Sequence, residues 1–353
     1  MKFMLIWPAA DYSTKDCAEG LRAGLLANGH EVIDYRLSNR LDMARWAVCR
    51  GDFDAADIKT SLDICLCASE AVPFKAILHE VDWIIGVHGV ALHPAALIAL
   101  KKVGIKIAWW FTEAPYESND DRELHYAQYV DVAFVNERTS IGAFQQILNK
   151  HGGTAHYLRH AVNPEIHHPY DDLTDDERCD VLFIGTGFAE RQHLFECIDW
   201  TGINVHLGGL WLGVYPNYRL FDIVKHGPLP NVAVSRLYSG AKIVINCHRD
   251  GDRAESPNPR VWEVAACGAF QISDTRAEIA EVLGDSVPQY QPGNAWQAAT
   301  LIRRYLSDDD ARKRCAAQAL QRVAGQTFID RAAEVVSALQ AYQSKHASTA
   351  VAA

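Results

Sequence analysis

Two α/β halves, each a parallel sheet covered by helices, are predicted for this chain by three observations. Short apolar runs alternate with longer amphipathic stretches, the pattern of successive βα units. The runs are apolar throughout rather than alternating, as in strands buried on both faces. The rhythm also breaks once, at Asp171-Asp-Leu-Thr-Asp-Asp-Glu-Arg178, and then restarts; 353 residues are too many for one ordinary core.

Lys2 to Trp7 reads as the first strand, followed by a helix from Thr14 to Asn28 that Gly29 stops, and a strand from Glu31 to Tyr35. Trp83 to Val87 is a strand, His93 to Val103 a helix ended by Gly104, and Ile105 to Phe111 the next strand. Val130 to Val135 and a helix from Ser140 to Lys150 repeat the unit. After the acidic stretch, strands follow at 180–185, 204–207, 242–246 and 269–273. Three helices with apolar spacing of three and four close the chain at 295–307, 309–324 and 328–344, and Ser348 to Ala353 reads as a frayed tail. The expected layout is a first domain over 1–170, a linker over 171–179 and a second domain over 180–327. The helix 328–347 is expected to pack back on the first domain.

Composition removes several function classes. With 34 basic and 44 acidic residues the net charge is −10, which argues against sequence-independent nucleic-acid binding. No apolar run approaches the roughly 18 residues of a membrane span, and the N-terminal run is too short for a signal peptide, so a cytoplasmic protein is expected. Nine cysteines are scattered, and the one close pair, Cys65-Leu-Cys67, lacks metal-ligand spacing, so no metal site is expected. Gly-x-Ser-x-Gly, a Walker loop and His-Glu-x-x-His are absent, which sets aside several hydrolases and nucleotide triphosphatases.

The most informative segment is Glu255-Ser-Pro-Asn-Pro-Arg-Val-Trp-Glu263. Pro259 suits the first turn of a helix and Asn258 its N-cap. A helix start offers free N–H groups and a positive dipole end to a diphosphate, and Arg260 adds a fork of donors. Glu263, about a turn in, is placed to accept hydrogen bonds from a ribose, and Glu255 from a sugar. A plainer reading also fits: Glu263 stabilises the first turn and Arg260 forms a surface ion pair.

Gly185, Thr186 and Gly187 follow an apolar strand in Phe183-Ile-Gly-Thr-Gly-Phe-Ala-Glu-Arg191, where backbone N–H groups can face a phosphate and Arg191 can reach the same place. Asn246 and His248 end another buried strand, at the edge where open parallel sheets bind ligands, and are candidates for base or ribose contacts. In the first half, His88, Glu113 and His160 flank apolar strands as candidates for acceptor contacts or proton transfer.

The stretch Pro257-Asn-Pro-Arg-Val-Trp-Glu-Val-Ala-Ala-Cys-Gly-Ala-Phe270 resembles the R-x-F-E-x-x-A-C-G segment of the CgeB-like, spore-maturation-type glycosyltransferases. Four further segments agree in order: Phe111 to Tyr116, His160 to His167, Asp180 to Gly187 with Arg191, and Leu237 to His248. The resemblance implies a GT-B fold, two Rossmann-like domains facing each other across a cleft, allied to the retaining group with E-x7-E. It implies a nucleotide-diphosphate sugar held by the second half, the acceptor held by the first, and no metal or other cofactor. It places Glu255 on the sugar and Glu263 on the ribose. The diphosphate falls to Gly185–Gly187, Arg191 and Arg260, and the catalytic set is read as Glu255, Arg260 and His88. Trp262 stands where Phe is usual, and Pro8-Ala-Ala-Asp11 replaces the usual glycine-rich loop after the first strand.

The acceptor stays open between a glycan, a small molecule, a protein and a hydroxymethylated base in DNA. A DNA acceptor would need phosphate contacts that the sparse Lys101-Lys102 and Arg303-Arg304 pairs do not supply. A non-catalytic nucleotide-sugar-binding or surface-layer protein of the same fold is the third reading.

Overall fold

A computed structural model describes residues 1–9, 13–49, 58–88, 92–115, 122–211, 219–249 and 253–351. Ala10 and Asp11 of the loop after the first strand, Gly89, and residues 250–252 lie outside this set. Two compact units divide the chain: Met1–Arg159 with Phe328–Ala353, and His160–Thr327.

The first unit is built on a six-stranded parallel sheet. Its strands are β1 (Lys2–Ile6), β2 (Glu31–Tyr35), β3 (Trp83–Val87), β4 (Lys106–Phe111), β5 (Val132–Val135) and β6 (Thr154–Tyr157), in spatial order β2-β1-β3-β4-β5-β6. Residues of β3, β4 and β5 are almost wholly buried, which explains their unbroken apolar sequence. The expected helix stops at Gly29 and Gly104 are present, with φ of +79° and +81°. Helices Leu37–Cys49, Ile58–Ser69 and Ala71–Leu78 fill the stretch between β2 and β3, for which the sequence predicts no element.

The last helix, Phe328–Val351, belongs to this unit and takes in Ser348 to Val351 of the tail expected to fray. It lies against the helix Ser13–Ala27, where Gly20 and Gly24 open a groove for it. A Cβ on Gly20 would sit 2.2 Å from the Phe328 ring, and one on Gly24 would sit 2.3 Å from the Phe328 carbonyl oxygen. Asn28 Nδ2 donates to the Ile329 carbonyl at 3.0 Å, and the Tyr342 ring packs edge-on against Trp83 at 5.8 Å.

The second unit carries another six-stranded parallel sheet. Its strands are β7 (Cys179–Ile184), β8 (Val205–Gly208), β9 (Val224–His226), β10 (Ala241–Asn246), β11 (Gln271–Asp274) and β12 (Gln289–Tyr290), in spatial order β12-β11-β10-β7-β8-β9. The chain winds outward from β7 through β8 to β9, then returns to β10 on the other side of β7. The switch point therefore lies between β7 and β10, where connections leave in opposite directions and open a crevice at the strand ends.

The boundary between units falls after Arg159 rather than at 170. Val162 N–H donates to the Gln326 carbonyl at 3.0 Å and Tyr170 N–H to Ser239 Oγ at 3.2 Å, which ties this stretch to the second unit. Residues 171–179, expected to be a linker, are a docked strap. Arg236 bonds Glu177 and both the side chain and the carbonyl of Asp172. The Arg236 hydrogen bond holds the Glu177 carboxyl down at about 2. Cys179, at the end of the expected linker, already starts β7. Among the described residues no helix is long and apolar enough to cross a membrane.

The Gly20–Gly24 groove makes a direct prediction. Gly24→Ala should cost about 1–3 kcal/mol, because the new methyl meets a backbone carbonyl rather than a movable side chain. Urea unfolding measures this; an unchanged midpoint would mean that the last helix does not pack on this groove.

Candidate functional site

The switch point of the second unit gathers most of the residues singled out by sequence. β7 ends at Ile184, and Gly185-Thr186-Gly187 leads into the helix Ala189–Glu196. The two glycines do not leave their N–H groups free for a phosphate. Gly185 N–H donates to the Gly208 carbonyl at 2.8 Å and Gly187 N–H to the Leu210 carbonyl at 2.9 Å. Their lack of a side chain is what the site uses. A Cβ on Gly185 would lie 2.5 Å from Arg260 Nη2, and one on Gly187 would lie 2.5 Å from the Trp211 ring.

Arg191 also differs from its expected role. Its guanidinium is buried and donates to the carbonyls of Thr186 at 2.9 Å and Cys247 at 3.0 Å. It joins the loops that follow β7 and β10, as a strut between them rather than as an arm reaching outward.

β10 delivers Asn246, which is fully buried. Its side chain forms a reciprocal pair with Asn258, with Nδ2 to Oδ1 distances of 3.2 and 3.1 Å. Asn246 Oδ1 also accepts from Arg260 Nη1, and the Asn246 carbonyl accepts from Tyr290 at 2.7 Å. Asn258 does occupy the N-cap position of the helix Pro259–Ala266, with Pro259 in its first turn, but its side chain makes no capping bond because Asn246 engages it.

Two positions further, His248 is enclosed. Its Nδ1 lies 2.6 Å from Asp274 Oδ1, and its Nε2 lies 3.0 Å from the Asn258 backbone nitrogen. A backbone N–H can only donate, so Nε2 accepts and the ring proton sits on Nδ1. Burial works to raise the Asp274 carboxyl, but His248 and Arg276 hold it below its ordinary value. With both ring nitrogens engaged by protein, His248 is not available for the base or ribose contact expected of it.

Arg260 is no surface ion pair. Its guanidinium packs 4.8 Å from the Phe183 ring centroid and bonds Asn246 and the Tyr238 hydroxyl, and its Nε has no hydrogen-bond partner among the described residues. One helical turn on, burial pushes the half-buried Glu263 carboxyl up to about 7, with Arg260 opposing the shift. Glu255 sits in the preceding loop, where its carbonyl accepts from Glu278 N–H at 3.2 Å. Tyr238, Asp274 and Tyr290 belong to this site and carry no local sequence signal; strand-end position and order were the only clues to Asp274.

The first unit holds a smaller constellation at the ends of β3 and β4. His88 has φ of +61°, the left-handed region that residues other than glycine rarely adopt. Its N–H donates to the Trp110 carbonyl and its Nδ1 lies 2.8 Å from Thr112 Oγ1. Burial lowers its proton affinity and the neighbouring Glu113, which is exposed, opposes that shift. His160 is buried and falls at the start of the second unit. Among the described residues no cluster of three His, Cys, Asp or Glu side chains is arranged to hold a metal.

Comparison with known proteins bears on this geometry. Residues 191–337 match a family model described as glycosyl transferase-like. Sucrose-phosphate synthase of Thermosynechococcus elongatus is similar over 98% of this chain and 99% of its own, with a TM-score of 0.70 at 13% identity. The chain has the GT-B fold of that solved structure, and its residues 191–337 are similar to the glycosyl transferase-like family. Anabaena HepE, solved with UDP-glucose, is similar over 96% of this GT-B chain and 100% of its own, with a TM-score of 0.63 at 13% identity. The spore protein CgeB of Bacillus subtilis (strain 168) is 26% identical over 195 residues, which is 50% of this chain and 59% of that protein.

Glu263 generates a pH prediction. Its carboxyl titrates near 7 in the fold against an ordinary 4.5. Between those values the folded state binds more protons than the unfolded state, so stability falls as pH rises through the window. Glu263→Gln removes this titration. The variant should melt above the parent near about pH 8, with the gap closing toward pH 4.5. A gap that does not change with pH would mean that Glu263 is ionised and solvated in the fold.

Proposed function

We propose that this chain transfers a glycosyl group from a nucleoside-diphosphate sugar to a hydroxyl acceptor, with retention at the anomeric carbon and without a bound metal. One observation carries the reading. At the switch point, Arg260 and Arg191 bring two buried or half-buried cations together, and neither forms an ion pair among the described residues. Neutral amide, hydroxyl and carbonyl groups hold them, so their charge is left for a ligand anion. The start of the helix Pro259–Ala266 adds its positive dipole end at the same place. A diphosphate matches this field, and UDP-glucose is bound by the HepE relative.

In the reaction, the bond between the anomeric carbon and a diphosphate oxygen breaks, and a bond from the acceptor oxygen to that carbon forms. The acceptor hydroxyl gives up its proton, and the leaving diphosphate takes the electron pair. Arg260 offsets the charge that builds on that diphosphate, which is the work a metal would otherwise perform. Glu263 accepts hydrogen bonds from the ribose, and Glu255 lies beside the donor sugar. His88, whose proton affinity burial lowers, is suited to receive a proton or to orient a hydroxyl. Retention is supported by the E-x7-E spacing of Glu255 and Glu263.

A panel of nucleotide sugars tested by thermal shift and by product formation checks the reading. Arg260→Ala should lower turnover by about 10²–10³, the range for loss of one group that stabilises developing negative charge. Gly185→Ala should weaken donor binding as well, because its methyl displaces the Arg260 fork. Unchanged activity in Arg260→Ala and in Glu263→Ala would remove this assignment.

A further inference from the structure

We infer that Asp274 and His248 are positioning residues that set the donor helix and Arg260 through a tautomer lock, without touching the ligand. This rests on the reading of the switch point as the donor site. The lock is a chain of directed hydrogen bonds between the ends of β11 and β10 and the start of the helix Pro259–Ala266. Asp274 Oδ2 accepts from the His248 backbone N–H at 2.9 Å, and its Oδ1 accepts from His248 Nδ1 at 2.6 Å. With the proton fixed on Nδ1, Nε2 is the acceptor for the Asn258 N–H at 3.0 Å. Asn258 is thereby held where its amide meets Asn246, and Asn246 in turn receives Arg260.

Each step depends on which atom carries a proton, and the carboxylate is the element that decides. The His248 backbone N–H can only donate, so any group at 274 must turn an acceptor toward it. In Asp274→Asn the amide oxygen would take that place, leaving the NH₂ facing His248 Nδ1. The ring would then have to accept at Nδ1 and carry its proton on Nε2, directly opposite the Asn258 N–H. Two donors would face each other across 3.0 Å. This nearly isosteric change should release the helix start while leaving the core packing intact.

The test compares Asp274→Asn with the double variant Asp274→Asn, His248→Gln. A glutamine at 248 offers its side-chain oxygen near the position of Nε2 and so accepts from Asn258 whatever stands at 274. Nitrogen shifts of the His248 ring should report the Nδ1–H form in the parent and the Nε2–H form in Asp274→Asn. Amide exchange at Asn258 should be protected in the parent, fast in Asp274→Asn, and slow again in the double variant. Affinity for uridine diphosphate should fall by at least about tenfold in Asp274→Asn and largely return in the double variant. Asp274→Asn with parental exchange and affinity overturns the inference, as does a double variant no better than the single one. If the parent binds no uridine diphosphate, the functional reading fails, while ring shifts and amide exchange still decide the lock.

Discussion

A buried carboxamide, Asn246, is the constraint around which the second unit's strand ends are arranged. Placing a guanidinium inside protein is unfavourable unless its donors are satisfied, and a carboxylate is the usual partner. A carboxylate would also neutralise the charge. Asn246 satisfies Arg260 without neutralising it, and it is itself held by Asn258 and by the neighbouring strand end. The other features of the site follow from keeping that cation in place. Gly185 has no side chain because Nη2 lies where its Cβ would be, and Phe183 presents its ring to the guanidinium.

Much of this fold is legible in the sequence because parallel strands covered on both faces need unbroken apolar runs. β1, β3, β4, β7 and β10 are of this kind, and their bounds are close to those expected. The missed strands, β6, β9 and β12, are edges. β9 is Val224-Lys-His226, with little apolar pattern, and β12 is only two residues long. The unit boundary escapes for a different reason. An acidic, turn-rich run has the composition of a linker, but Arg236 captures it from 64 positions away. Nothing local marks a partner at that distance.

The site shows the same division between position and role. Strand-to-helix junctions put Gly185, Asn246, Asn258 and Arg260 at one end of one sheet, and the sequence places them there. Their roles depend on which hydrogen bonds are already taken. The Gly185 and Gly187 N–H groups are satisfied by carbonyls of Gly208 and Leu210, so a loop that looks like a phosphate cradle works by admitting neighbours. Arg191 turns inward for the same kind of reason, since two strand-end carbonyls lie within its reach. A glycine or arginine signals a special location more reliably than it signals which of its properties is used.

His88 extends this reasoning to the first unit. A residue other than glycine in the left-handed region is disfavoured by roughly 1–2 kcal/mol, because Cβ crowds the following carbonyl oxygen. A glycine at position 88 would remove that strain, and so would a slight change of path at the end of β3. Neither is found. The backbone N–H is held by the Trp110 carbonyl and the ring by Thr112, so β4 and the residue that follows it fix both ends of the residue. Strain held by two separate bonds indicates that the placement of the imidazole, rather than the turn itself, is what the strand end preserves. Burial of the half-buried ring favours its neutral form while the exposed Glu113 beside it opposes that, an arrangement suited to accepting or passing a proton.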